Sequence, residues 1–251
     1  MSGVRIETVP SFDGVELAVH RLGEGRPVLL LHGLFSSADM NWIRFGHAAA
    51  LAAAGFEAVM PDLRAHGQSG KPHDASAYPP GVLVRDVEAV VSALGLDDFD
   101  LGGFSLGART AASAVIAGLA PRRLVLGGMG LEGLSGWDRR ASFFIDAIDR
   151  FGEVKHGDPA FVATQFMKTM KIDRVAARLL LGAVDDISES DLAKVTTPTL
   201  VVCGDKDEDN GSPQRLVEAL PNARLADVPG THMSSVTGPE LGEAMVRFLT
   251  A

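Results

Sequence analysis

A chain of 251 residues, 46% hydrophobic and 22% charged, is long enough for one α/β domain with a large buried core and too apolar for intrinsic disorder. A formal net charge of −9 excludes a general attraction to phosphate backbones or anionic lipid, and a single cysteine, Cys203, excludes disulfide frameworks and cysteine-rich metal sites. No stretch reaches the roughly 18 continuous apolar residues of a membrane span and no charged-then-apolar leader pattern opens the chain, so a cytoplasmic protein is expected, with neither nucleic acid nor membrane as partner.

In chain order, residues 4–9 and 15–20 flank the turn Phe12-Asp13-Gly14 and predict an antiparallel edge hairpin. Strands are then expected at 28–32, 58–62, 99–104, 123–129, 199–204 and 224–228. The run Val28-Leu29-Leu30-Leu31 is apolar without alternation, as a central strand covered on both faces should be. Helical composition fills 42–54, 81–94, 106–119, 213–220 and 239–249. This alternation predicts an α/β fold, a mostly parallel central sheet with helices on both faces.

Residues 131–194 break the rhythm: no strand pattern appears, and Phe and Met recur at helical spacing. The expected organisation is a core of residues 1–130 and 195–251 with a helical cap, or lid, inserted at 131–194. Most apolar residues of such an insertion pack among themselves, but as a group they also fit a cover over a site.

The strongest local signal is Gly103-Phe104-Ser105-Leu106-Gly107, which follows an expected strand and opens an expected helix. A sharp strand-to-helix turn puts Ser105 in a strained conformation at the sheet rim, with the Leu106 N–H at a helix N-terminus where negative charge is favoured. A serine hydroxyl needs a base. Of the seven histidines, His20, His47, His73 and His156 read as surface residues, and His32 and His66 sit in strand-end loops on the Ser105 side as lesser candidates. His232, in the loop after the last expected strand, is the expected base. An imidazole acting this way needs an acidic partner. The loop Gly204-Asp205-Lys206-Asp207-Glu208-Asp209 offers several; spacing favours Asp207, the chemistry alone leaves Asp205 and Asp209 open, and Glu132 is a rival from another strand end.

These motifs resemble the α/β-hydrolase superfamily over nearly the whole chain: His32-Gly33-Leu34-Phe35, Asp62-Leu63-Arg64 with Gly67 and Ser69, the Ser105 turn, Gly204-x-x-Asp207, and His232 in that order. Ala65 and Thr231 stand where glycine is frequent in the family. The resemblance implies the α/β-hydrolase fold, a catalytic triad of Ser105, Asp207 and His232, and an oxyanion hole made by the backbone N–H groups of Leu34 and Leu106. Haloalkane dehalogenases and epoxide hydrolases resemble the chain in their loops but use aspartate at the turn, which disfavours both reactions here. The expected activity is that of a carboxylesterase-like serine hydrolase acting on small, fairly apolar carboxylic esters, lactones or thioesters through an acyl-enzyme, with no metal or organic cofactor. Phe35, Met129, Trp137, Phe143, Phe144, Phe166 and Met170 are the expected pocket. Two alternatives stand beside this: carbon–carbon bond hydrolysis of a ring-cleavage product, for which Arg109 and Lys168 are the nameable cations although Arg109 reads as a helix-surface residue, and a hydrolase-like ligand receptor.

Overall fold

The computed structural model describes residues 3–251; residues 1 and 2 of the expected core lie outside them. Eight strands form one sheet: β1 (Arg5–Pro10), β2 (Glu16–Gly23), β3 (Arg26–Leu31), β4 (Phe56–Pro61), β5 (Asp100–Phe104), β6 (Leu124–Gly127), β7 (Thr199–Gly204) and β8 (Ala223–Val228). Their order is β1-β2-β4-β3-β5-β6-β7-β8. The first two are antiparallel to their neighbours, and all pairings from β4 to β8 are parallel. The hairpin closes with the Ser11 N–H donating to Val15 O (2.8 Å) over Gly14 at φ +83°.

Connectivity runs from β3 outward to β4 and then back across β3 to β5. That reversal opens a crevice at the carboxyl ends of β3 and β5, the place where open parallel sheets present their sites.

Two apolar layers cover the sheet. On one face lie α2 (Val82–Leu94), α3 (Leu106–Ile116) and α9 (Pro213–Ala219), packed on Leu29, Leu31, Leu101 and Leu126. On the other lie α1 (His47–Ala53) and α10 (Glu240–Thr250), packed on Val28, Leu30, Val125 and Val202. Successive residues of β3 thus feed opposite layers, which is why that strand has no polar alternation. The single helix expected at 42–54 is divided: a π-helical turn at Asp39–Ile43 is separated from α1 by Gly46 at φ +85°.

Between β6 and β7 run only helices: α4 (Leu131–Leu134), α5 (Trp137–Asp149), α6 (Phe161–Thr169), α7 (Arg174–Leu181) and α8 (Glu189–Leu192). Helix α5 packs against both α6 and α7, and Trp137, Ile148, Met167 and Leu180 are buried there. The Asp173 side chain caps α7 by accepting from the Val175 and Ala176 N–H groups. Among the described residues, no helix is long and apolar enough to cross a membrane.

Candidate active site

Ser105 leaves β5 with φ +54° and ψ −114° and is the N-cap of α3. Such a conformation is costly for a residue with a Cβ and persists only where the surroundings dictate it. Here they do: the Ser105 N–H donates to Gly127 O (2.9 Å) and its carbonyl accepts from the Arg109 N–H (3.0 Å). A Cβ on Gly103 would strike the Gly107 backbone, and one on Gly107 would strike the backbone of Leu31, so the two glycines let β5, α3 and β3 approach closely.

Asp207 and His232 come from the two loops beyond β7 and β8. Asp205 ties these loops together by accepting from the Gly230 N–H (2.8 Å), and the Lys206 N–H donates to Gly230 O (3.0 Å). On this brace, His232 Nδ1 lies 2.9 Å from Asp207 Oδ2, while Asp207 Oδ1 accepts from the Asp209 N–H at 3.1 Å. The Asp207 carboxylate is almost fully buried. The geometry therefore separates the three aspartates: Asp205 braces, Asp207 pairs with the imidazole, and Asp209 contributes its backbone. Glu132 faces elsewhere, bound to Arg215 and to the Ser212 N–H (2.8 Å). The His232 ring rests on Phe104, the residue before Ser105, with centroids 5.0 Å apart. Ser105 and His232 line the same cavity, and no direct hydrogen bond joins them among the described residues. Such contacts tighten when substrate binds.

Leu34 and Leu106 also line this cavity, and neither N–H finds an acceptor among the described residues. The Leu34 turn is held from behind. The Gly33 N–H donates to Asn41 Oδ1 (3.0 Å), the Phe35 N–H to His66 Nε2 (3.0 Å) and the Ala38 N–H to Asp62 Oδ1 (2.8 Å). His32 Nε2 accepts in the same way from the Leu63 N–H (2.9 Å). His32 and His66 are thus buried framework groups, and burial pushes the imidazole of each down, that of His66 to about 3. Burial would raise the Asp62 carboxyl, but hydrogen bonds from His20, Gln68 and Ala38 carry it well below the usual carboxylate range.

The cavity measures about 710 Å³, and its wall is mainly apolar, with phenylalanine, tryptophan and methionine side chains among its lining. Phe35, Met129, Trp137, Phe143, Phe144 and Phe166 all face it. Met170 does not: it caps the end of α6, one turn beyond Phe166 on the same helix face, and so lies past the edge of the cavity. Further sequence expectations need correction. His20 and His47 are buried, bonded to Asp62 (3.2 Å) and Val236 O (2.7 Å) respectively. Arg109 is not on a helix surface but fully buried, and Lys168 is exposed away from the cavity. Sequence reasoning missed Asn41, Arg139 and Arg140 as lining residues; Asn41 falls just before the helix expected at 42–54, where nothing in the sequence marked it.

Carboxylate oxygens of Asp207 and Asp209 and a ring nitrogen of His232 lie within 4.8 Å of one another, the one such trio among the described residues. With the Nδ1–carboxylate bond already made and Asp209 exposed, the set fits an acid–base pair better than a cation cage.

Comparison with known proteins agrees with this architecture. The alpha/beta hydrolase fold family matches residues 26–124. An esterase from Exiguobacterium antarcticum superposes with a TM-score of 0.78 over 97% of this chain and 99% of that one, at 20% identity. The chain has the alpha/beta hydrolase fold. An epoxide hydrolase from Caballeronia sordidicola is 36% identical over 41% of this chain, a stretch spanning only 31% of that relative's length. A non-heme haloperoxidase from Rhodococcus erythropolis is 27% identical over 96% of this chain and 98% of its own length.

Proposed function

We propose that this chain is a serine hydrolase of small, fairly apolar carboxylic esters, lactones or thioesters, with residues 131–194 as its cap. The observation that carries the reading is the His232–Asp207 pair opening onto the same cavity as Ser105, which is held in a strained conformation at the turn into α3. Ser105 Oγ attacks the carbonyl carbon as His232 Nε2 takes its proton, and Asp207 holds the Nδ1–H and stabilises the imidazolium. The Leu34 and Leu106 N–H groups, free of protein acceptors, receive the oxyanion. His232 returns the proton to the departing alcohol, and water then repeats the attack on the acyl-enzyme.

An epoxide-opening reaction through an aspartate nucleophile is disfavoured because residue 105 is serine. For carbon–carbon hydrolysis, the two cations named from the sequence are engaged elsewhere or distant. A receptor is separated from an enzyme by many turnovers rather than one stoichiometric adduct. The test is a panel of short p-nitrophenyl esters with Ser105→Ala. Loss of at least about 10³-fold in kcat/KM is expected, with fluorophosphonate labelling confined to the wild-type protein. Turnover at the wild-type rate in the variant would overturn the reading.

A further inference from the structure

The charged side chains lining the cavity are Arg109, Arg139, Arg140 and Asp209, an excess of positive charge inside a chain whose net charge is −9. Both terminal nitrogens of Arg109 are committed to the protein: they donate to Asp185 O (2.5 Å), Leu134 O (2.5 Å), Gly133 O (3.1 Å) and Asp186 Oδ1 (3.1 Å). The pair on α5 is not. Arg140 donates through Nη1 to the backbone carbonyl of Asp209, and no carboxylate lies within 4.0 Å of either Arg139 or Arg140 among the described residues. Elsewhere in the same helical segment, Arg150 is held by Asp146 and Asp158, and Arg178 by Asp149.

A guanidinium has five N–H donors in a planar fork. Arg140 spends one on a neutral oxygen, beside Phe144 at 5.8 Å from the ring centroid. A half-buried cation facing an apolar cavity without a counter-ion is costly, and burial correspondingly weakens its hold on its proton against the pull of Asp209 and Asp207. A carboxylate would satisfy the fork with two parallel charge-assisted bonds. Its Asp209 contact also fixes Arg140 to the loop carrying Asp207, so its fork is held in place relative to the reacting centre. With Arg109 matched by Asp186, Arg139 and Arg140 against Asp209 leave one positive charge, which suits a monoanion.

We propose that the substrate is an ester with an apolar middle and a free carboxylate at its far end, the carboxylate held by Arg140 with Arg139 beside it. Monoesters of short dicarboxylic acids and carboxyaryl esters are the chemical class. The proposal rests on the serine-hydrolase reading for the reaction, and on the cavity charges for the carboxylate.

The experiment compares kcat/KM for monophenyl glutarate and phenyl pentanoate, which differ by a carboxylate in place of the terminal methyl. The wild-type protein is expected to prefer the glutarate ester by at least about tenfold, and the preference should fall with added salt. Arg140→Gln should remove it, Arg140→Lys should retain part of it, and Arg139→Gln should reduce it less. Equal use of the two esters, or a loss in Arg140→Gln that is the same for both, overturns the subsite while leaving the hydrolase reading intact. Calorimetric titration of Ser105→Ala with monophenyl glutarate, with and without Arg140→Gln, reads binding without turnover. Arg140-dependent binding by a protein that hydrolyses neither ester sustains the subsite and overturns the hydrolase reading.

Discussion

The Phe35 N–H donates to Nε2 of His66 at 3.0 Å, and the other ring nitrogen of His66 donates to Arg64 O at 2.9 Å. Both bonds hold only for a neutral ring protonated at Nδ1. Phe35 sits at φ +58°, so this histidine pins a strained residue next to the proposed oxyanion donor Leu34.

A pH dependence of stability follows. His66 is pushed by burial from 6.5 down to about 3 in the fold, and His32 is lowered by the same cause. Between these values the unfolded chain binds protons that the folded one refuses. The His66 contribution is therefore fully present above pH 6.5 and falls as pH drops toward 3, by about 1.4 kcal/mol per pH unit, and His32 adds a loss in the same direction. The depressed Asp62 carboxyl adds a loss in the same direction only below about pH 4. Denaturant unfolding from pH 7 to 4 should show this slope, and His66→Gln, whose amide oxygen accepts the same N–H, should remove His66's share. An unchanged slope in the variant would refute the assignment.

Asp207→Asn keeps the carboxamide oxygen facing the Asp209 N–H but turns an NH2 toward His232 Nδ1, which forces the imidazole into the tautomer with no proton to donate there. Ester kcat should fall by about 10³–10⁴-fold with little change in melting temperature. Glu132→Gln breaks only a half-exposed pair with Arg215 and should leave turnover within about twofold. If the two variants exchanged these outcomes, Glu132 would be the acid.

Those two carboxylates illustrate what the sequence could carry. The Ser105 turn was legible because Gly103 and Gly107 are demanded by backbone contact, a constraint that acts within five residues. The parallel strands were legible because β3 and β7 are buried on both faces and so read as unbroken apolar runs. Choosing among Asp205, Asp207 and Asp209 from chemistry alone was impossible, since all three share a loop and only the brace to Gly230 decides which one meets the imidazole. The cavity wall was legible as a set of aromatic residues but not in detail: Phe166 and Met170 lie one helical turn apart on the same face of α6, so periodicity selects both, and only where the helix ends relative to the cavity leaves Met170 out. Buried His20, His47 and Arg109 were misjudged because polar residue type argues for solvent unless distant partners are known.

Arg109 joins α3 to both ends of the helical segment, through Gly133 and Leu134 at its start and Asp185 and Asp186 at its end, with its guanidinium 5.0 Å from the Trp137 ring centroid. Arg109→Met preserves much of the volume but leaves buried carbonyls without donors. A loss of about 3 kcal/mol or more is expected in denaturant unfolding, along with faster proteolysis within residues 131–187 in native buffer. Arg109→Lys should recover only part, because an ammonium cannot spread its donors across carbonyls on two sides. A stability change within about 0.5 kcal/mol for Arg109→Met would mean that the segment is held by its apolar contacts alone.

Cys203, the one cysteine of the sequence, is the penultimate residue of β7, four residues before Asp207. It is 3% exposed, and burial, with the charge of Asp207, pushes its thiol up to about 12. Its Sγ donates to Met129 O at 3.4 Å, a bond that a thiolate could not make. At pH 8 the thiol is therefore both shielded and protonated, and reactivity depends on the thiolate. A disulfide-exchange reagent should leave the native protein unlabelled and its ester turnover intact, and should react with one thiol per chain in denaturant. Fluorophosphonate should do the reverse, stopping turnover with Cys203 still free. Inactivation of the folded protein by the thiol reagent would show that β7 opens at its carboxyl end, and would make the Asp207 brace less rigid than the hydrogen bonds among Asp205, Gly230 and His232 require.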